Sequence, residues 1–163
     1  ATDPKNNDLL DVWLCKNCEF LISTGTGIDA VAMMFKKEIV FVNYIPFSHI
    51  ISWVNNISAP KRLFWKDGRQ LTLTEHLDNV WPSTFKEKGI NIVDLTPGEI
   101  KSVVQEMVSR INGTPLTNQQ IQDQKIFWNI LESHKIYRMY HGVRDPMATF
   151  ATSYLDNNLD FLK

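Results

Sequence analysis

The sequence lacks several features that would place it in an easily recognised class. Its 163 residues include only two cysteines, and its 17 basic and 18 acidic side chains leave a formal net charge of −1. A chain without excess positive charge has no long-range field to attract DNA or RNA, so nucleic acid is not an expected partner. No apolar run approaches the roughly 20 residues that span a bilayer, and no signal-peptide pattern is present. We therefore expect no transmembrane segment and a cytoplasmic location, with the inner membrane surface as the alternative.

The two cysteines, Cys15 and Cys18, have the spacing of a redox pair or of half a zinc site. They lie at the end of a predicted helix, however, and not at its beginning, where the helix dipole would lower a thiol pKa. The four histidines show no spacing that would complete a zinc site, and the sequence has no Asp-x-Asp metal motif. We expect reduced, structural cysteines, no bound metal and no cofactor.

The composition indicates one globular domain, covering residues 1–163. Apolar residues make up 44% of the chain, which is enough to form a buried core at this length. The first residue is alanine, and residues 8–16 predict a helix where an α/β domain usually begins with a strand. We expect the chain to be a fragment of a longer protein.

Residues 19–42 have the pattern of a βαβ unit. An apolar run at 19–23 predicts a strand, small and apolar residues at 28–35 predict a helix, and a β-branched run at 39–42 predicts a second strand. Such units form parallel strand pairs with a right-handed crossover. The expected fold class is therefore α/β, a Rossmann-like three-layer domain with a mainly parallel sheet and extra C-terminal helices.

The rest of the chain is less regular before it becomes helical. Residues 47–88 predict loops around short elements, and residues 91–95 predict a further strand. Thr96 and Thr117 are each followed three residues later by Glu or Gln, a capping-box pattern that predicts the starts of two long helices. Pro146 precedes what we expect to be a final helical stretch. The last helices should pack back across the domain.

The loop between the first predicted strand and helix is the main candidate for a binding site. Helix N-termini present backbone N–H groups without helical partners, and their dipole attracts anions. Glycines allow a ligand to approach the backbone closely. The loop has neither the lysine of a Walker motif nor three spaced glycines, so a tight turn without a ligand is the alternative. Its residues are Ser23, Thr24, Gly25, Thr26 and Gly27.

The wider stretch of residues 18–46 resembles a family of bacterial glycosyltransferases. The likeness includes small residues in the loop, an acidic residue early in the helix, a basic residue before the second strand and the Asn-Tyr-Ile-Pro turn at 43–46. That family looks like the C-terminal, donor-binding half of the GT-B fold, which implies that this chain is the C-terminal part of a longer protein with a missing N-terminal domain. A more distant likeness, confined to the loop and its helix, is to heptosyltransferases and nucleotide-sugar epimerases. The main resemblance covers nearly the whole chain and continues at residues 60–63, 71–75, 94–100 and 154–159.

The resemblance implies a donor domain that binds a nucleotide-diphosphate sugar, for transfer to a glycan or lipid-linked acceptor. It assigns the loop, from Ser23 to Gly27, to the donor diphosphate, and the nucleotide sugar is then a substrate and not a cofactor. For Asp29 the alternative is a favourable interaction with the helix dipole, and for Glu75 it is a capping box with Thr72. The further donor-binding candidates are Asp29, Asn43, Tyr44, Lys61, Arg62 and Glu75.

No catalytic residue is identified by the sequence. Inverting GT-B enzymes usually carry their catalytic base on the N-terminal domain, and His49 is a candidate only by residue type and by its place near a strand end. The alternatives are a non-catalytic α/β binding or assembly module and an epimerase-like domain. No paired catalytic acids of the kind an epimerase needs are recognisable.

Overall fold

The computed structural model describes residues 8–141 and 146–163, and its helices and strands alternate in the first half of the chain. Three short 3-10 helices lie at Phe47–His49, Pro82–Thr84 and Thr152–Asn157. The other elements are α1 Asp8–Asn17, β1 Phe20–Ser23, α2 Ile28–Met34, β2 Glu38–Tyr44, β3 Asn56–Pro60, β4 Arg62–Trp65, α3 Leu73–Asp78, α4 Phe85–Lys88, β5 Ile90–Val93, α5 Pro97–Ile111, α6 Asn118–Ser133, α7 Tyr137–Tyr140 and β6 Ala148–Phe150.

Four strands form a parallel sheet in the order β1-β2-β3-β6. This confirms the α/β class and the βαβ unit that begins the fold. The strand expected at 91–95 exists as β5, but it pairs antiparallel with β4 in a separate two-stranded sheet. That small sheet follows directly after the carboxyl end of β3, so it stands at the same edge of the main sheet as the loop after β1.

Strand β2 is buried on both faces and separates two apolar layers. Val40 and Val42 pack into the main core with side chains of α5 and α6, whereas Ile39 and Phe41 pack against Ala32 of α2. Alternate residues of a strand point to opposite faces, so a continuous apolar run serves both layers at once. The result is the three-layer arrangement expected from the sequence.

The expectation of loops around short elements at 47–88 did not identify β3, a short but fully buried strand of the main sheet. Its sequence, Asn-Ile-Ser-Ala-Pro, has little β-propensity because Asn and Pro are depleted in strands. The polar side chains are satisfied locally: Asn56 Nδ2 donates to the carbonyls of Ile51 and Val54, and Ser58 Oγ donates to Asn56 Oδ1. These hydrogen bonds allow a polar strand to lie inside the sheet.

The helical stretch expected after Pro146 was wrong for residues Ala148–Phe150, which form strand β6 beside β3, whereas Thr152–Asn157 do form a 3-10 helix. The outer edge of β6 is covered by the side chain of Gln124 from α6. Gln124 Nε2 donates to the Phe150 carbonyl at 2.5 Å, and Gln124 Oε1 accepts from the Phe150 N–H at 3.0 Å. The amide thus makes the two hydrogen bonds that a neighbouring strand would make at this residue.

The helix starts follow the sequence closely. Thr72, Thr96 and Thr117 each cap a helix, and in each case the side chain three residues later completes the capping box.

Cys15 and Cys18 are free thiols at the end of α1, and Cys18 Sγ donates to the Cys15 carbonyl at 3.3 Å. In the described part of the chain, no helix is long and apolar enough to cross a membrane.

We expect Gln124→Glu to destabilise the fold. The substitution keeps the shape of the side chain but removes the donor to the Phe150 carbonyl and places a carboxylate against it, which should cost about 1–3 kcal/mol of unfolding free energy. Gln122→Glu is the matched control, because Gln122 is exposed on the same helix. Urea denaturation at pH 7 measures both. Equal midpoints for the two variants would show that the amide pair does not support β6.

The fold should also lose stability in mild acid through His76. This side chain is 2% exposed and stacks edge-on against Phe161, and burial lowers its pKa from 6.5 to about 3. Between these values the unfolded chain binds a proton that the folded protein does not. The contribution of neutral His76 to folding stability is therefore fully present above pH 6.5 and is lost as the pH falls toward 3. In that range this group lowers the folding equilibrium constant by up to about tenfold per pH unit.

Denaturation curves of wild type and His76→Phe at pH 4.5 to 7 measure this effect. The other titrating groups are common to both proteins, so the difference in slope isolates His76. We expect the variant to depend less steeply on pH. Parallel curves would contradict a neutral, buried His76.

Candidate functional site

A cavity of about 360 Å³ opens at the carboxyl ends of β1 and β2. One wall is residues 24–27, here called the glycine loop, and we call the space the glycine-loop cavity. Ligands of open parallel sheets bind outside the carboxyl ends of the strands, which is where this cavity lies. The remaining walls come from α2, from the last residue of β2 and from the segment after it, and are formed by Asp29, Ala30, Met33, Tyr44, Ile45, Pro46, His49 and Ile51.

The glycine loop owes its shape to a close contact with Tyr44. Gly25 has a φ of +90°, and a Cβ atom there would lie 3.0 Å from Tyr44 Cε2. Only glycine combines this backbone angle with so close a neighbour. Gly27 differs, because its φ is −59° and a Cβ there would meet no atom within 4 Å. Gly25 is therefore needed for packing, whereas Gly27 borders open space.

Two N–H groups of the glycine loop are already used inside the protein. Gly25 N–H donates to Ser23 Oγ at 3.1 Å, and Thr26 N–H donates to Asp29 Oδ2 at 2.6 Å. Ser23 itself ends β1 and is buried outside the cavity wall. The hydrogen bonds that hold the loop thus engage donors that the sequence had assigned to a phosphate.

Asp29 is the most constrained polar residue of the site. It is the second residue of α2 and only 3% exposed. Its Oδ1 atom is buried, and no hydrogen-bond donor of residues 8–141 and 146–163 reaches it. The nearby carboxylate also contributes to raising the pKa of Tyr44, although burial is the larger cause. A buried carboxylate oxygen without a donor is energetically costly, and Asp29 is also one of the residues that line the cavity.

The segment at 47–52, which forms the far wall, is held by His141. His141 Nε2 lies 3.0 Å from the Ser48 carbonyl, which can only accept, so Nε2 carries the proton. Nδ1 then accepts from the Ser52 hydroxyl at 3.1 Å. Burial lowers the pKa of His141, which keeps the ring in this neutral form. The two bonds position His49, whose carbonyl in turn accepts from the Tyr44 hydroxyl at 3.0 Å.

Three sequence-predicted residues lie at the same sheet edge but outside the cavity wall. Asn43 has a φ of 52° and accepts the Leu95 N–H at 2.7 Å, which ties β2 to the small sheet. Lys61 Nζ pairs with Asp94 at 2.6 Å. Arg62 donates to the Asp94 carbonyl and lies 3.4 Å from the Glu99 carboxylate. All three therefore make contacts that hold the small sheet in place.

Glu75 is engaged in the small-sheet region and not near the glycine loop. It completes the capping box with Thr72 and also accepts from Arg69 and from Trp65 Nε1. The hydrogen bonds from Arg69 are the main reason why the pKa of Glu75 falls to about 2. The structure thus agrees with the alternative interpretation of Glu75, in which it forms a capping box with Thr72.

A larger groove, of about 610 Å³, lies between α5 and α6 beside β6. Among the described residues that line it, the two charged side chains already have hydrogen-bond or ion-pair partners within the protein. Glu106 accepts from the N–H groups of Thr152 and Ser153, and Arg110 contacts Thr149 Oγ1 and pairs with Glu38. The sequence did not reveal this groove, because its lining comes from mostly neutral residues on separate elements.

No metal centre is formed by the described residues, among which no three His, Cys, Asp or Glu side chains are grouped to hold an ion. The apolar walls of the glycine-loop cavity, Met33, Ile45 and Ile51, were not predicted. Apolar side chains near a strand end look the same in sequence whether they line a core or a cavity.

Comparison with known proteins adds no relative: no family model, no curated protein and no solved structure matches the chain.

The two glycines of the loop should respond differently to the same substitution. We expect Gly25→Ala to lower the unfolding free energy by about 1–3 kcal/mol, because the residue has a positive φ and meets Tyr44. Gly27→Ala should leave the unfolding free energy unchanged or raise it by up to about 1 kcal/mol, since its φ suits alanine and a Cβ there has room. Urea denaturation of the pair measures the difference. Equal losses would contradict the described loop geometry.

Proposed function

We propose that this chain is the donor-binding domain of a glycosyltransferase and binds a nucleotide-diphosphate sugar at the glycine-loop cavity. The observation that carries the proposal is the position of that cavity, at the carboxyl ends of two adjacent parallel strands and beside a glycine loop that precedes a helix. This is the place where open α/β sheets bind nucleotide ligands. The resemblance of residues 18–46 to bacterial glycosyltransferases supports the same conclusion.

The size of the cavity suits part of such a ligand. Small-molecule sites usually range from roughly 300 to 1,000 Å³, and a volume of about 360 Å³ is at the low end. One ring of a nucleotide sugar fills such a space, and the rest of the molecule extends along the edge of the sheet. There it meets Lys61, whose backbone N–H donates to the Tyr44 carbonyl at 3.4 Å.

Lys61 is available to a diphosphate on energetic grounds. Its ion pair with Asp94 is exposed, and exposed pairs contribute at most about 1 kcal/mol. A phosphate group can replace Asp94 as its partner at little cost. Arg62 is less available because Glu99, its partner, is buried.

The acceptor, a glycan or lipid-linked molecule, would approach from the open side of the cavity, from a partner domain or directly from solution. His49 is a titratable group of the cavity wall, and burial lowers its pKa, so it is mainly neutral at pH 7. A neutral imidazole can accept a proton from an acceptor hydroxyl, although no contact assigns that role.

One observation favours a non-catalytic binding module as the second candidate. Among the described residues that line the glycine-loop cavity, none is a lysine or arginine that could neutralise a leaving diphosphate. Such a module and a transferase domain would share the ligand and differ in turnover. Binding therefore tests the site, and a transferase assay separates the two functions.

We expect nucleotide sugars to raise the thermal stability of the protein. A ligand at a hundred times its dissociation constant adds about 2.7 kcal/mol to the unfolding free energy. A panel of UDP-, GDP- and ADP-sugars, read by thermal shift and then by titration calorimetry, measures this. Gly27→Val should abolish the response, because the branched side chain enters the open space at Gly27.

Gly98→Ala is the control for this experiment, since Gly98 lies in the first turn of α5 and a Cβ there has room. It should respond to ligand as wild type does. If no member of the panel stabilises the wild-type protein, the proposed function is wrong. If Gly27→Val binds as tightly as wild type, the ligand binds elsewhere.

A further inference from the structure

We infer that the glycine-loop cavity holds a polyhydroxylated ring of the donor, which donates a hydroxyl hydrogen bond to the Asp29 carboxylate, while the diphosphate lies outside. The inference rests on the proposed function and specifies which part of the ligand the cavity binds. It also changes the assignment that the resemblance implies, in which the loop holds the phosphates.

The charge of the cavity is the first argument. Asp29 places a buried carboxylate in its wall, and no lysine or arginine among the described lining residues offsets that charge. The helix behind the loop has only seven residues, and the Asp29 carboxylate already occupies its first turn. A phosphate in the cavity would face a negative charge in a site of low dielectric, where repulsion is strong.

The hydrogen-bonding capacity of Asp29 is the second argument. Oδ2 has its donor in the Thr26 N–H, whereas Oδ1 has none within the described residues. An ionised carboxylate only accepts, so its natural partner is a donor. Sugar hydroxyls are donors without charge, and a hydroxyl bound to a carboxylate makes a strong, charge-assisted hydrogen bond.

The remaining walls suit the other face of a sugar ring. Met33, Ile45 and Ile51 provide apolar contacts, and the Tyr44 ring lies against the glycine loop. A sugar presents hydroxyls at its rim and C–H groups on its face, so it matches a cavity with one acceptor and apolar walls. Both the ribose and the transferred sugar have this chemistry.

The test compares Asp29→Asn with Asp94→Asn. Asparagine can still accept the Thr26 N–H, but it replaces the second acceptor with a donor and removes the charge. Asp94→Asn removes a charge at the same sheet edge, outside the cavity. Calorimetry then measures three ligands on wild type and on both variants: the nucleotide sugar chosen from the panel, its nucleoside diphosphate, and inorganic pyrophosphate.

We expect Asp29→Asn to weaken nucleotide-sugar binding at least about tenfold, as for loss of a hydrogen bond to a charged group. Pyrophosphate binding should be unchanged or tighter, and Asp94→Asn should not weaken nucleotide-sugar binding. If the nucleoside diphosphate also loses affinity in Asp29→Asn, the bound ring is the ribose. If only the nucleotide sugar does, it is the transferred sugar.

Saturation-transfer NMR on the wild-type protein provides a measurement that does not depend on a variant folding. The strongest transfer should reach ring protons of the ribose or sugar, and strongest transfer to the base would overturn the inference. Tighter nucleotide-sugar binding by Asp29→Asn would overturn it too, because it indicates phosphate beside the carboxylate. Either result leaves the proposed function standing, whereas that function fails if wild type binds no nucleotide sugar.

Discussion

The burial of β2 on both faces is the constraint on which the rest of the structure depends. Ile39 and Phe41 require a helix on one side, and Val40 and Val42 require the α5 and α6 layer on the other. A strand that must satisfy two apolar layers has a fixed register, because a slip of one residue would exchange its faces. Its carboxyl end, with Tyr44, is therefore fixed relative to the end of β1. The geometry of the glycine loop follows, since Gly25 is shaped by contact with Tyr44.

Hydrogen bonds within the glycine loop change the ligand chemistry that its sequence pattern suggests. A strand-glycine-helix pattern suggests anion binding because it presents several N–H donors. Here two of those donors bind Ser23 and Asp29, which stabilises the loop but reduces its capacity for phosphate. The group that lacks a hydrogen-bond partner is then Oδ1 of Asp29, which is an acceptor and not a donor. Opposite ligand chemistry can thus arise from the same local pattern, depending on one acidic residue in the first turn of the helix.

The sequence predicted those parts of the fold that depend on local chemistry. The βαβ unit follows from its apolar runs, and the capping boxes at Thr72, Thr96 and Thr117 depend on residues three positions apart. Strand β3 was missed because its residues have little β-propensity, although the hydrogen bonds that satisfy its Asn56 side chain are local. Strand β6 was missed because it depends on a distant side chain, Gln124 of α6. For the site, the glycine loop, Asp29 and Tyr44 do come together. Asn43, Lys61 and Arg62 have partners some 30 to 50 residues away, such as Asp94 and Leu95, which no spacing rule could reveal.

The two borders of the main sheet differ in their ability to accept another strand. At β6, the amide of Gln124 already occupies the outward N–H and carbonyl of Phe150, so an incoming backbone meets a side chain that must first be displaced. At β1, the opposite border in the described residues, apolar side chains of α1 and Ile22 are exposed, including Leu9 at 76%. A strand edge that no further strand of the described residues pairs with, beside exposed apolar side chains, is a common starting point for intermolecular sheet growth. Self-association of this domain, in storage or during overexpression, would therefore begin at the β1 border of the sheet and not at the β6 border.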